Sequence, residues 1–422
     1  MSYEDIFNKC KSSEGYFGEF RAAGDRYYTM PVLESIPGTT MKFQGKDCIM
    51  WSVNNYLGLA ENEEIKQVAV DTVKEWGVSG PMGSRMMSGN TLNHIELEQQ
   101  LASFAQKEAA ILFNYGYLGV IGTINSIVDE EDIIIMDKLA HASIVDGARG
   151  AISDRRKLRV FRHNDMDSLE HTLKKVNKIR KKGVIVLTEG VYGMTGDVAK
   201  LDEICRLKDQ YDARLFVDDA HGFGVMGDNG RGTAEYFGVQ DKVDLYFGTF
   251  AKAFASIGGF TAANKEVVEW IRYNARTQVF AKSLPMIYTK SLIKTLSLVE
   301  NGGERRKRLF DVSRKLSEGL RELGFYVGKV ESPIVAVFIP EASVKIAMEW
   351  IKYLREKGVF VTAVAYPVIP RNYIMFRMIP TASHTDEDVE KTIVAFKSLR
   401  NDRNINLDDV DWSGVEKLYG DR

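Results

Sequence analysis

The sequence predicts an α/β protein: a mostly parallel central sheet with helices on both faces, followed by a smaller α+β C-terminal unit. Three observations predict it. Short apolar runs alternate with amphipathic stretches between residues 61 and 290, and the pattern changes after 290. The 422 residues, 45% hydrophobic and 27% charged, supply ample core. The expected division is an N-terminal arm over 1–60, a large domain over 61–290 and a small domain with a polar tail over 291–422.

The first segment, with "EGYFGEFRAAGDRYY" at 14–28, is mixed and aromatic-rich and reads as an arm. The runs "AAILF", "DIIIM", "LRVF", "VIVLTE", "RLFVDD" and "DLYFGTF" are β-rich and often end in polar or glycine residues. Between them "HIELEQQLASFAQ" and "LDEICRLKDQY" have helical spacing. Such alternation gives a parallel sheet covered on both faces, with ligands at the carboxyl ends of its strands. In the last third, "RRKRLFDVSRKLSEGLRELG" reads as a long helix. "SPIVAVFIP", a further helix, "GVFVTAVAYPVIP", "NYIMFRMIP" and a helix near "TDEDVEKTIVAFKSL" complete the small domain. The polar, acidic tail from Asn401 is expected to be poorly ordered.

A formal charge of -2 argues against a general nucleic-acid binder. Cys10, Cys48 and Cys205 fit no zinc spacing, and no metal site is expected. Sparse cysteines suit a reducing cytoplasm, and the polar start "MSYEDIFNKC" does not read as a signal peptide. No run of 18 apolar residues suggests a membrane span; contact with a membrane surface stays open.

The chemistry centres on "DLYFGTFAKAFASIGGF", residues 244–260, where Lys252 sits among small and aromatic residues with no carboxylate near it in sequence. Burying such an ammonium is costly, so its pKa falls, and a neutral lysine is a nucleophile able to form a Schiff base. In "RLFVDDAHGFGVMG" a strand runs into Asp218, Asp219 and His221. A carboxylate there would keep a ring nitrogen protonated; alternatively both acids cap the next segment. "FNYGYLGV" puts Gly116 and Tyr117 between a strand and a helix, as a phosphate turn or a plain connection. His141 follows the run "DIIIM" and reads as structural or catalytic. Arg377, inside an apolar strand, demands an anion, either internal or a substrate carboxylate. Together these are the parts that pyridoxal phosphate (PLP) requires.

With "NNYLGL", "GSRMMSGN", "HIELEQQLA", "HASIVDGAR", "DDAHGFGVMG", "GTFAKAFASIGGF" and "FRMIPTASHT" in order, residues 45 to 400 resemble the α-oxoamine synthase family of fold-type-I PLP enzymes. The resemblance implies Lys252 as the Schiff-base lysine and Asp218 as partner of the pyridine nitrogen. It implies His221 on the ring's phenolic oxygen and His141 stacked on the ring. Thr249 and the backbone of Gly116 and Tyr117 would hold the phosphate, and Arg377 with Asn54 the substrate carboxylate. The implied reaction is a decarboxylating condensation. Lys252 removes the amino acid's Cα proton, the resulting carbanion attacks an acyl thioester and expels the thiol, and CO₂ leaves. His141 would steady the carboxylate and polarise the thioester carbonyl.

Within the family, "GTFAKAFASIGGF" and "ESPIVAVFIP" are most similar to bacterial serine palmitoyltransferases. "GGFTAANKEVVEW" and "VTAVAYPVIP" are more similar to 2-amino-3-ketobutyrate CoA ligases. Where relatives often carry phosphate-binding hydroxyls, this chain has Ala251 and Ala281, with Lys282 following. Lys282 is read as a substitute charge for the phosphate, a contact for a second anion such as the sulfonate of cysteate, or a solvent-facing residue. "GPMGSR" alters the pocket expected near Ser84. The expectation is a homodimeric PLP-dependent acyltransferase joining a small amino acid to a long-chain acyl thioester on CoA or acyl carrier protein. Serine is the first guess and cysteate the second. Third is glycine or alanine with a short acyl group, as in glycine C-acetyltransferase or 8-amino-7-oxononanoate synthase. The competitors are a PLP aminotransferase or aldolase, and a silent partner subunit, which would be expected to lack Lys252. The basic clusters at 155–159, 174–182 and 305–308 are solvated faces, or a landing patch for an acidic carrier or the phosphates of a thioester cofactor.

Overall fold

The computed structural model describes residues 5–11, 18, 28, 30–36, 38–341, 343–366 and 368–420. Most of the stretch 14–28, expected as an arm, lies outside the described residues.

Strands β1 (Thr40–Phe43) and β2 (Lys46–Met50) form an antiparallel hairpin. The central sheet holds β3 (Ala109–Phe113), β4 (Ile133–Asp137), β5 (Leu158–Phe161), β6 (Val184–Glu189), β7 (Arg214–Asp218), β8 (Leu245–Thr249) and β9 (Gly259–Ala263). Their order is β3-β9-β8-β7-β6-β4-β5. β5, β4, β6, β7 and β8 are parallel, whereas β9 runs antiparallel to both neighbours.

The inner strands β4, β6 and β7 are apolar runs because both of their faces are buried, whereas the edge strand β5 carries Arg159 and an exposed Val160. Ile133, Ile135, Val184, Val186, Leu215 and Val217 point into one core, with the helices Met166–Asn177 and Leu201–Gln210. Ile134, Met136, Ile185, Leu187 and Phe216 point into the other, with the helices Gly116–Ile127 and Ala142–Ala151. Polar strand endings such as Asp137, Glu189, Asp218 and Thr249 therefore collect at one edge of the sheet.

A second sheet joins β10 (Tyr326–Val327), β11 (Val335–Ile339), β13 (Thr362–Val364) and β14 (Ile374–Met378), in the order β10-β11-β14-β13. The short strand β12 (Val359–Phe360) pairs parallel with β2. Residues 40–50, expected within an arm, thus form a hairpin against C-terminal chain. The reason is burial: Ile49 and Trp51 fill the core of the second sheet, and Trp51 Nε1 donates to Thr392 Oγ1 at 2.9 Å.

The tail also departs from expectation. The helix Asp386–Asp402, opened by a Thr385–Asp388 capping box, runs through Asn401. Beyond it Val415 and Tyr419 are buried against Phe338 and Ala336, and Tyr419 OH donates to the Thr195 carbonyl at 3.2 Å. The acidic composition hid these apolar anchors. Among the described residues no helix is long and apolar enough to cross a membrane.

Candidate active site

Lys252 follows β8, three residues after Thr249, and is itself part-buried, with Ala253 and Phe254 buried next to it in sequence. Burial lowers its pKa, outweighing the opposing pull of the Asp218 and Glu189 carboxylates. The partnerless lysine of the linear sequence therefore acquires carboxylates from β7 and β6 in the fold. Their pull is too weak to keep its charge at the ordinary level.

The two neighbouring acids part company. Asp219 accepts from Thr233 N at 2.7 Å, Thr233 Oγ1 at 2.6 Å and Tyr246 OH at 2.9 Å, so its oxygens are spent on structure. Asp218, at the end of β7, accepts from Ala220 N at 3.2 Å. Burial raises its pKa to about 6, with Lys252 pulling the other way. A buried carboxylate with spare lone pairs favours a cationic partner.

His221 is buried, and burial first, then Lys252 and Arg377, holds its pKa well below the ordinary imidazole value. Its Nδ1 lies 2.7 Å from Tyr56 OH. Burial raises the Tyr56 pKa to about 12, so the phenol keeps its proton and shares a hydrogen bond with Nδ1. When the phenol donates, the ring is the Nε2–H tautomer, which presents a donor from its other nitrogen. His141 caps the helix Ala142–Ala151: Ser143 N donates to its Nδ1 at 3.2 Å and Ser143 Oγ lies 2.7 Å from the same nitrogen, leaving Nε2–H without a hydrogen-bond partner among the described residues. Although His141 is exposed as a whole, partial desolvation of its ring and the Lys252 charge lower its pKa.

Gly116 and Tyr117 open the helix Gly116–Ile127, with their N–H groups among those lacking helical acceptors. A β-carbon on Gly116 would lie 2.7 Å from Thr249 Oγ1, so this helix start and the end of β8 meet at one point. The Tyr117 hydroxyl is bonded to Asp146. Arg377, from β14, donates through Nε to the Gly193 carbonyl at 2.5 Å and through Nη2 to Asn54 Oδ1 at 3.3 Å. Among the described residues it has no carboxylate in ion-pair contact.

Ser84 and Lys282 form an isolated antiparallel bridge, and the Lys282 carbonyl accepts from Asn114 Nδ2, two residues before Gly116. The bridge thus ties the Lys282 backbone to the loop just before Gly116. Sequence reasoning passed over Tyr56, Glu189 and Gly193. Tyr56 lies inside "NNYLGL", and Glu189 is the lone acid ending an apolar strand; both signals were present. Gly193 had none beyond being a glycine.

These residues fit PLP. A lysine of lowered pKa stands near a buried carboxylate with spare acceptor capacity. The Gly116 notch is a cradle that any β-carbon would fill against Thr249. The guanidinium of Arg377, with no ion-pair partner among the described residues, is suited to a carboxylate.

The family profile "Aminotransferase class I and II" matches residues 46–396. The cysteate-C-fatty acyltransferase of Capnocytophaga ochracea is 44% identical over 401 residues, covering 94% of both chains. A serine palmitoyltransferase of Sphingobacterium spiritivorum is 37% identical, covering 90% of this chain and 94% of its own. The structure of Sphingomonas wittichii serine palmitoyltransferase has a TM-score of 0.87 at 30% identity, covering 95% of this chain and all of that one. A high-resolution structure of SPT with PLP has a TM-score of 0.88 at 28% identity, covering 96% of this chain and 100% of that one. The chain belongs to the class I and II aminotransferase family of fold-type-I PLP enzymes and is, within it, a PLP-dependent acyltransferase of the α-oxoamine synthase type.

Proposed function

We propose that the protein condenses cysteate with a fatty acyl thioester, releasing CO₂ and the thiol. The observation that carries the choice of amino acid is the 44% identity, over 94% of both chains, to a cysteate-C-fatty acyltransferase. Serine, the first guess from the motifs, is the second reading, favoured by the serine palmitoyltransferase relatives at 37% identity. Relatives named 8-amino-7-oxononanoate synthase, at 38% and 39% identity, support the third reading, a smaller amino acid with another acyl group.

Lys252, Asp218, His221, Thr249 and the N–H groups of Gly116 and Tyr117 would hold PLP, which when bound supplies a sink for the electrons left by the amino acid's Cα proton. Arg377 and Asn54 would bind the substrate carboxylate, with Lys252 Nζ taking the Cα proton because its amine is neutral more often than an ordinary lysine. His221, pinned by Tyr56, would donate to the cofactor's oxygen. His141 Nε2–H would donate to the thioester carbonyl, where negative charge develops. Lys282 is the cation proposed to meet the sulfonate, which serine lacks.

The acyl donor is a thioester of CoA or acyl carrier protein, and the enzyme is proposed to work as a cytoplasmic homodimer. Support for the dimer comes from Val78, Met82, Met87, Leu92 and Phe280, apolar side chains that are all more than 70% exposed in the single chain. The proposed domain boundary near residue 290 leaves Lys252, Asp218 and His221 on one side and Arg377 on the other.

Titrating the holoenzyme with cysteate, serine, glycine and alanine, and following the cofactor's visible absorbance, tests the reading. Cysteate is expected to saturate at the lowest concentration. A response to serine but not to cysteate overturns the cysteate assignment, and Lys282→Ala is expected to weaken cysteate selectively.

A further inference from the structure

The turn after β6 carries groups that none of these roles uses, and its centre is Gly193. The Gly193 N–H donates to Glu189 Oε2 at 3.3 Å, and its carbonyl accepts from Arg377 Nε at 2.5 Å. Glu189 stands directly across from Asp218 in the β6–β7 register. One residue, through its two flanking peptides, is therefore tied both to the strand pair that presents Asp218 and to the arginine from β14.

A side chain here would meet a third group. A β-carbon on residue 193 would lie 2.3 Å from Nε2 and 2.7 Å from Cδ2 of His221. That ring has little freedom to yield, because the buried Tyr56 hydroxyl holds Nδ1 at 2.7 Å. The φ of Gly193 is not in the left-handed region, so backbone conformation does not require glycine here. Space does.

We propose that Gly193 is a positioning residue for the condensation: its peptide sets Arg377 relative to His221, and only a residue without a β-carbon lets both keep their places. The proposal rests on the reading of Arg377 as the clamp for the substrate carboxylate. A guanidinium is planar, so fixing Nε on Gly193 and Nη2 on Asn54 fixes the direction of the donors left for that carboxylate. A shift of the 193 peptide away from the His221 ring turns the fork, and bidentate recognition tolerates little turning.

The test is a pair of substitutions in the holoenzyme, read by amino-acid affinity from the cofactor's absorbance and by thermal melting. Gly193→Ala is expected to weaken cysteate and serine by about tenfold or more, since a misplacement of this size is costly. The same substitution in a His221→Ala background, where the clash is gone, is expected to change affinity by less than about twofold. A glycine that mattered only for folding would lower the melting temperature and leave the affinity of the folded holoenzyme unchanged. Unchanged affinity in Gly193→Ala overturns the proposal. So does an equal loss, or failure to fold, in the His221→Ala background, and that second arm decides the matter even when the single variant does not fold. Arg377→Lys, measured alongside, separates the two readings. If it weakens the amino acid and Gly193→Ala does not, only the Gly193 proposal falls; if it has no effect, the clamp reading falls with it.

Discussion

Lys252, proposed to carry the chemistry, has an environment built from opposing influences: burial disfavours the ammonium, and Asp218 and Glu189 restore part of what burial removes. Replacing it tests the covalent link directly. Lys252→Ala, reduced with borohydride and digested, is expected to yield no pyridoxyl-modified peptide at that position, while the parent chain does. Turnover should fall by about 10³-fold or more, because nucleophile and base are lost together. Asp218→Asn keeps the shape and removes the charge that would balance a protonated pyridine nitrogen. Its kcat is expected to fall by about 10²–10³ with the cofactor still bound, a loss typical of one preorganised electrostatic group. Asp219→Asn should instead lower the melting temperature, since its oxygens serve Thr233 and Tyr246.

The helix Gly116–Ile127 matters through its first turn. Glycine at its start lets the Thr249 hydroxyl approach, and a β-carbon there would come within 2.7 Å of that oxygen. Gly116→Ala is expected to push Thr249 aside and reduce cofactor retention by about tenfold, roughly the worth of one hydrogen bond to a charged group. Absorbance remaining after dialysis measures it; full retention would show that the helix start does not meet the phosphate. The turn after β6 is held from several directions. Ser332 Oγ donates to the Gly196 carbonyl at 2.6 Å, Val198 N donates to Glu331 Oε2 at 2.9 Å, and Asp197 Oδ2 lies 2.8 Å from His163 Nε2. The turn whose Gly193 carbonyl accepts from Arg377 is thus braced by chain far from it in sequence.

At the scale of the molecule, His163 ties three segments together. Its Nδ1 lies 2.9 Å from Asp137 and its Nε2 2.8 Å from Asp197, with Tyr192 edge-on at 4.4 Å. Burial opposes the imidazolium, but hydrogen bonds to the two carboxylates outweigh it and raise its pKa to about 10. The folded value exceeds the ordinary 6.5, so the stability it contributes is complete below pH 6.5 and is lost as pH rises through about 10. Urea melts across that range should show stability falling with pH, and His163→Asn should flatten the slope. His163→Ala should cost about 3–5 kcal/mol, because two buried carboxylates lose their counter-charge. Trp51, fully buried and stacked on His384 at 4.0 Å, is expected to cost about 3–5 kcal/mol on replacement by alanine. That cost would report how far the N-terminal hairpin stabilises the second sheet.

The sequence by itself determined the strand–helix alternation, the polar strand ends and the order of motifs around Lys252, because hydrophobic period and local composition are written residue by residue. The tertiary structure alone decided which acid of the Asp218–Asp219 pair has free oxygens, that Glu189 faces Asp218, and that the hairpin 40–50 and the tail near Tyr419 pack against distant chain. Those outcomes depend on which atoms meet across tens to hundreds of residues. Neither spacing nor composition encodes who the partner is; packing of both sheet faces and satisfaction of buried polar groups select it.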